Sequence, residues 1–147
     1  MMIRALDELH DAVEGVHPTT WQDVGFSAPA GGVGGGTLED WIESGDRALR
    51  EFCLLFDAPP MPDASICHAE GVVRLSVAYP TATVPTDMIH GMIAEDVLTI
   101  ARALDSDPAL WPSLASVWAT DASVSEVRDD TGSVCALIMT MRLRVIV

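Results

Sequence analysis

Residues 134–147 read VCALIMTMRLRVIV, and this stretch decides the fold. Leu137, Met139, Met141, Leu143 and Val145 occupy every second position, with Thr140, Arg142 and Arg144 between them. Successive side chains of a strand point to opposite faces, so a period of two over this length predicts a long strand with one apolar and one polar face. Just upstream, Asp129-Asp130-Thr131-Gly132-Ser133 has the chemistry of a turn, with Gly132 supplying positive φ. Residues 122–128 form the strand before that turn, which makes the whole a hairpin.

A second pair of strands lies further upstream. In RALREFCLLFDAPP, residues 47–60, Phe52, Leu54 and Phe56 alternate against Glu51, Cys53 and Asp57, and Pro59-Pro60 is read as the stop. Residues 61–70 read as a turn region. In GVVRLSVAYP, residues 71–80, Val73, Leu75, Val77 and Tyr79 share one side, with Arg74 and Ser76 on the other. Between the hairpins, Pro85-Thr86-Asp87 opens a helix, with Thr86 or Asp87 as the cap. Ile89, Met92, Ile93, Val97, Ile100, Ala101 and Leu104 follow its i, i+3, i+4, i+7 rhythm over 88–105. Residues 108–119, PALWPSLASVWA, read as irregular, with Trp111 and Trp118 packed on the core. Near the start of the sequence, Ile3, Leu6, Leu9 and Val13 predict an amphipathic helix over 2–14, stopped at Gly15. Residues 16–37 read as a long arm, with Trp21 and Phe26 as anchors, and Thr37 caps a short helical turn through Ser44. The expected fold is α+β, one domain over 1–147: a four-stranded, mostly antiparallel sheet with two main helices on one face.

Composition narrows the function. The chain has 147 residues, is 49% apolar and carries a net charge of −14. That apolar share builds a core and argues against a disordered chain. All eight bases are arginine. So acidic a surface repels a nucleic-acid backbone, which argues against groove reading, although DNA can slide past it without sticking. A basic protein partner also suits it. Cys53, Cys67 and Cys135 are odd in number and form no C-x-x-C, so they read as reduced core thiols. The acids at 7, 8, 11 and 14 and the lack of a long apolar run argue against a signal peptide, and no 18-residue apolar stretch suggests a membrane span.

The glycine run APAGGVGGGTLED, residues 28–40, invites a phosphate-loop reading through Gly31, Gly36 and Thr37. The lysine of that motif is missing, as lysine is from the whole chain, so the charge that meets the terminal phosphates is gone. The dinucleotide pattern fails where Thr37 replaces its third glycine. The plainer reading is an adaptable loop, because each glycine costs backbone entropy to order.

Other chemistry is sparse. Cys67-His68 near Glu70 is a poor nucleophile–base couple, since adjacent strand residues point apart. His10, His17, His68 and His90 lack zinc spacing, and Asp105, Asp107, Asp129 and Asp130 lack a calcium loop. No G-x-S-x-G surrounds a serine. Met88, Met92, Met139 and Met141 read as core filling. The expectation is no catalytic, cofactor or metal residue. Arg74, Arg142 and Arg144 lie on strand polar faces; if the strands are neighbours they make a cluster suited to acids of an adjoining subunit, and otherwise they pair within the chain or face solvent.

The order of elements resembles the tail-terminator family of long-tailed phages and the related tail-completion proteins of the neck. The resemblance rests on pattern and size over most of the chain: RALREFCLLFDAPP, GVVRLSVAYPT, the helix from Asp87 to Asp105, and ALIMTMRLRVIV. It implies a structural virion protein of the tail or neck, made in the host cytoplasm. Such subunits form a homo-oligomeric ring, a hexamer, that caps the tail tube, stops its growth and joins it to the head. Its partners are then the tube protein and a neck or head-completion protein, with DNA passing through the lumen unread and no membrane involved. On this reading the subunit interface includes Arg74, Arg142, Arg144 and Trp21. It also includes Gly31, Gly32, Gly34, Gly35 and Gly36, the arm ordering as it docks. The arm is longer than the simplest version of that fold needs. Two rivals remain at this point. One is a small acidic immunity- or antitoxin-type protein that neutralises a basic partner. The other is a small-molecule enzyme, for which no convergent polar groups stand together.

Overall fold

The computed structural model describes residues 2–27, 48–62, 68–105, 114–129 and 132–146. The elements are α1 (Met2–Glu14), β1 (Phe52–Pro62), β2 (His68–Pro80), α2 (Thr86–Leu104), β3 (Leu114–Asp129) and β4 (Gly132–Ile146). The strands form one antiparallel sheet in the order β1-β2-β4-β3. This is the α+β architecture that the alternating patterns predict.

The quoted stretch forms β4 and has a strand on each side. Leu137, Met139, Met141 and Leu143 are fully buried on its inner face, and β2 matches them: Val73 faces Met141, Leu75 faces Met139, Val77 faces Leu137. β1 continues these rows with Phe52 opposite Val77 and Leu54 opposite Leu75. Each such side chain, fully buried, contributes on the order of 1.5–3 kcal/mol. Both helices cover this inner face. α2 sends down Ile89, Met92, Ile93, Ile100 and Leu104, and α1 sends Leu9 and Val13. His10 of α1 lies with its ring 4.8 Å from that of Phe52.

The structure departs from the sequence reading at strand and helix ends. β1 continues through Pro59-Pro60 to Pro62, and β2 begins at His68. A proline lacks an N–H, which an edge strand tolerates where that position points away from its neighbour. Pro59 and Pro60 fall in the register shift between Ala58 and Met61, outside the paired positions. β3 begins at Leu114, well inside the stretch read as irregular. A bulge between Ala119 and Asp121 hides the alternation, because inward positions fall at 117, 119, 122 and 124. Trp118 therefore does not pack on the core: it stands opposite Arg142 on the outer face, half-buried. α2 starts at Thr86 with Pro85 at the cap position, and no side chain caps it. Met88 is exposed, whereas Met92, Met139 and Met141 fill the core.

The first half of the expected arm is docked. Val16, Pro18 and Phe26 are buried, and Ser27 makes a parallel bridge to Glu51 beside β1. The glycine run, the Thr37–Ser44 turn, Cys67 and Trp111 lie outside the described residues, and so does the His68 side chain.

Candidate interaction surface

Three features follow from this layout: a buried clasp, a mixed outer sheet face, and an apolar groove at one sheet edge.

The clasp centres on Arg50, which is fully buried and has a left-handed φ of 62°. A guanidinium has five N–H donors, and all five are used. Nε and Nη2 donate to the two carboxylate oxygens of Asp96 at 2.8 and 2.9 Å. Nη1 donates to the carbonyls of Trp21 and Val24 at 2.9 and 2.8 Å, and Nη2 to that of Thr20 at 2.7 Å. The Tyr79 hydroxyl donates to Asp96 Oδ2 at 2.6 Å. The Phe26 ring centroid lies 5.6 Å from the guanidinium carbon. Burial, and next the Asp96 carboxylate, push the Tyr79 phenol well above the usual tyrosine range. The clasp ties the 20–24 segment to α2 and the sheet. Its saturated bonding leaves no donor for a ligand, so its work is structural. Sequence reasoning missed it, although Asp96 is an acid set within the apolar stripe of α2.

The outer face carries the arginines of the sequence reading. Antiparallel register puts Arg74 opposite Thr140, Arg142 opposite Val72, and Arg144 opposite Glu70. Directly opposed residues share a face, so the three do come to one side of the sheet. Arg144 does not wait for a neighbouring subunit: it donates to Glu70 Oε1 from Nη2 at 2.7 Å and from Nε at 3.3 Å. Arg74 is half-buried and also engaged in an interaction. Arg142 is exposed, with Trp118 beside it across the β3–β4 ladder. Leu55, Val72, Ile138 and Thr140 are half-buried around this row. Further along, Cys53, Ala78 and Ala136 form a small buried cluster, and Ser76, opposite Cys53 in the ladder, has a buried hydroxyl without a partner. Trp21, the remaining interface candidate with described structure, is 37% exposed; its carbonyl serves the clasp while its ring stays at the surface.

The groove lies on the inner side, between α2 and β3. It has a volume of about 430 Å³, and its lining is mostly apolar: Ile93, Ala94, Val97, Leu98, Val124 and Leu137, with His90 and Ser123 at its margin. Among the described residues no group of three His, Cys, Asp or Glu side chains is placed to hold a metal ion. No described helix is long and apolar enough to cross a membrane. Cys53 and Cys135 are buried thiols, and burial raises the pKa of Cys135, helped by Glu126.

No protein-family model matches this sequence, and none of the curated proteins compared with it is significantly similar.

Proposed function

We propose that this chain is a ring-forming structural subunit of a phage-like tail or neck, which caps the end of the tail tube and joins it to the head. The observation that carries the reading is the outer sheet face, where exposed Arg142 stands beside Trp118 and Val72. Both described helices cover the opposite face. On this one Cys53, Ser76, Ala78 and Ala136 are buried at one end, whereas Arg142 is exposed and Trp118, Val72 and Thr140 are half-buried at the other, and that end is open to a neighbour. Arginine and tryptophan are the residue types that concentrate at protein interfaces. The acidic balance of −14 suits a ring through which DNA passes without adhering. Glycine-rich residues 31–36, beyond the described structure, supply adaptability between subunits on the same reading. No enzyme activity or cofactor enters it.

The test is light scattering after size exclusion, with negative-stain images, for the wild type and for Arg142→Glu. Closed rings that disappear in the variant at unchanged melting temperature are expected. Rings indifferent to Arg142→Glu would remove this face from the interface. A chain that stays monomeric even in the presence of tail tubes would overturn the reading. The net charge also favours a second reading, an acidic protein that neutralises a basic partner by electrostatically steered association. In that case binding would weaken steeply with salt.

A further inference from the structure

The groove beside β3 has the character of half a core. Inner-face residues elsewhere on β2 and β4 are almost fully buried, yet Val124 is 45% exposed and Leu98, on the other wall of the groove, is 52% exposed. One exposed apolar residue needs no explanation, but two that border an apolar groove at a sheet edge mark a contact surface.

The two edges of the sheet differ. β1 is protected: Ser27 bridges to its start, Pro59, Pro60 and Pro62 offer no N–H, and two bulges distort it. β3 has β4 on one side and no strand on the other among the described residues. Residues 119–124 are all exposed, and β3 contains neither proline nor lysine. β3 has bulges of its own at Leu114–Ser116 and Ala119–Asp121, but Asp121–Asp129 pairs with β4 without interruption, and an unbroken edge without proline or lysine recruits another strand.

We propose that the occupant is a second copy of this chain, paired β3 to β3 in antiparallel register about a two-fold axis beside Val124. Opposed residues must share a face, which limits the register. Centred on Val124, the pairing sets Val124 against Val124, Ser123 against Ser125 and Ala122 against Glu126, and no like charges meet. Centred on Ser125 it would set Asp121 against Asp129. Centred on Ser123 it would set Val124 against the smaller Ala122. A two-fold axis perpendicular to the sheet keeps both α2 helices on the same side. The two grooves then merge, and Leu98 and Val124 of both copies close into one apolar layer.

The dimension sets the strength. Asp121–Val127 pairs cleanly about this axis, and about seven residues at ~3.3 Å each, over a contact ~10 Å deep, bury on the order of 450 Å² in total. The groove rims raise this toward the ~1,000 Å² of a specific interface, so the dimer is weak and concentration-dependent. Like net charges oppose it, so salt strengthens it. This pairing goes beyond the ring reading, because a two-fold contact uses one patch twice whereas a ring uses two different patches.

The experiment has two arms. Sedimentation from about 5 μM to about 1 mM, in low and high salt, should show a reversible dimer that Val124→Arg abolishes with an unchanged melting temperature. Val124→Cys, in a Cys67→Ser background, should form a disulfide-linked dimer on mild oxidation, since Cα atoms at the axis lie ~4.5–5.5 Å apart. Ala82→Cys, exposed in the turn after β2, is the control and should stay monomeric. Monomer throughout, a dimer that survives Val124→Arg, or equal cross-linking at position 82 would overturn the proposal. Rings that persist in Val124→Arg would leave the ring reading standing whatever this pairing does.

Discussion

Replacing Asp96 with asparagine changes almost no volume and removes one charge, which makes it the sharpest probe of the buried clasp. In the native chain both carboxylate oxygens accept from Arg50, at 2.8 and 2.9 Å, and both partners are fully buried. Asparagine turns one acceptor into an NH₂ that must face an N–H of the guanidinium. The arginine keeps its charge and loses its counter-ion in a region without solvent. Breaking a buried pair from one side costs about 3–5 kcal/mol. For a domain of this size 1 kcal/mol is worth roughly 2–4 °C, so Asp96→Asn should lower the melting temperature by roughly 10–15 °C. That is a large share of a total stability of about 5–15 kcal/mol. Thermal and urea unfolding followed by circular dichroism measure it. The double variant Arg50→Met/Asp96→Leu, which removes both charges, should be more stable than Asp96→Asn alone. Full recovery is not expected, because the carbonyls of Thr20, Trp21 and Val24 and the Tyr79 hydroxyl lose their partners. A cost below about 1 kcal/mol for Asp96→Asn, or single-variant costs that simply add, would refute the account of the clasp as one coupled unit.

Two further outcomes follow from the same geometry. Tyr79 is the only tyrosine, and its phenol is raised well above its usual value, first by burial and then by Asp96. A raised folded-state pKa means its contribution is intact below the unfolded value of ~10 and is lost as pH climbs above it. Phenolate absorbance should therefore appear only together with unfolding, and Tyr79→Phe should flatten the alkaline loss of stability; phenolate signal in a still-folded chain would contradict this. On the outer face, the Arg144–Glu70 pair is 42% and 33% exposed, so Arg144→Met should cost less than about 1 kcal/mol in urea unfolding.

The fold was legible where one physical rule acts alone. Leu137 to Val145 alternate without interruption because β4 sits between two strands and one helical layer, and nothing breaks its pleat. Ile89 to Leu104 keep helical rhythm for the same reason. Legibility failed at Leu114–Asp121, where two bulges shift the alternation and made Trp118 look like a core residue. It failed again at Pro59–Pro62, since whether a proline ends a strand depends on which edge it occupies, and that is a property of the whole sheet. Of the candidate surface, the shared face of Arg74, Arg142 and Arg144 could be read from alternation. That Arg144 is held by Glu70 could not, because the pair spans two strands whose register the sequence does not state. The exposure of Val124 and Leu98 needs the position of α2 over the sheet.

The clasp also explains why the two sheet edges differ. Residues 20–24 run over the core without belonging to a helix or strand, and their carbonyls would be costly to bury unpaired. Arg50 supplies donors to three of them, and Asp96 neutralises the charge that comes with the donors. Once that segment is held, Ser27 is delivered beside Glu51 and Phe52, where its N–H donates to the Arg50 carbonyl at 3.2 Å and its carbonyl accepts from Phe52 at 2.9 Å. The start of the β1 edge is closed by this bridge, and the prolines blunt the rest. Among the described residues β3 has no such bridge and no proline, and its bulges lie before Ser116 and before Asp121, so Asp121–Asp129 is the unbroken edge on which the proposed β3 pairing rests.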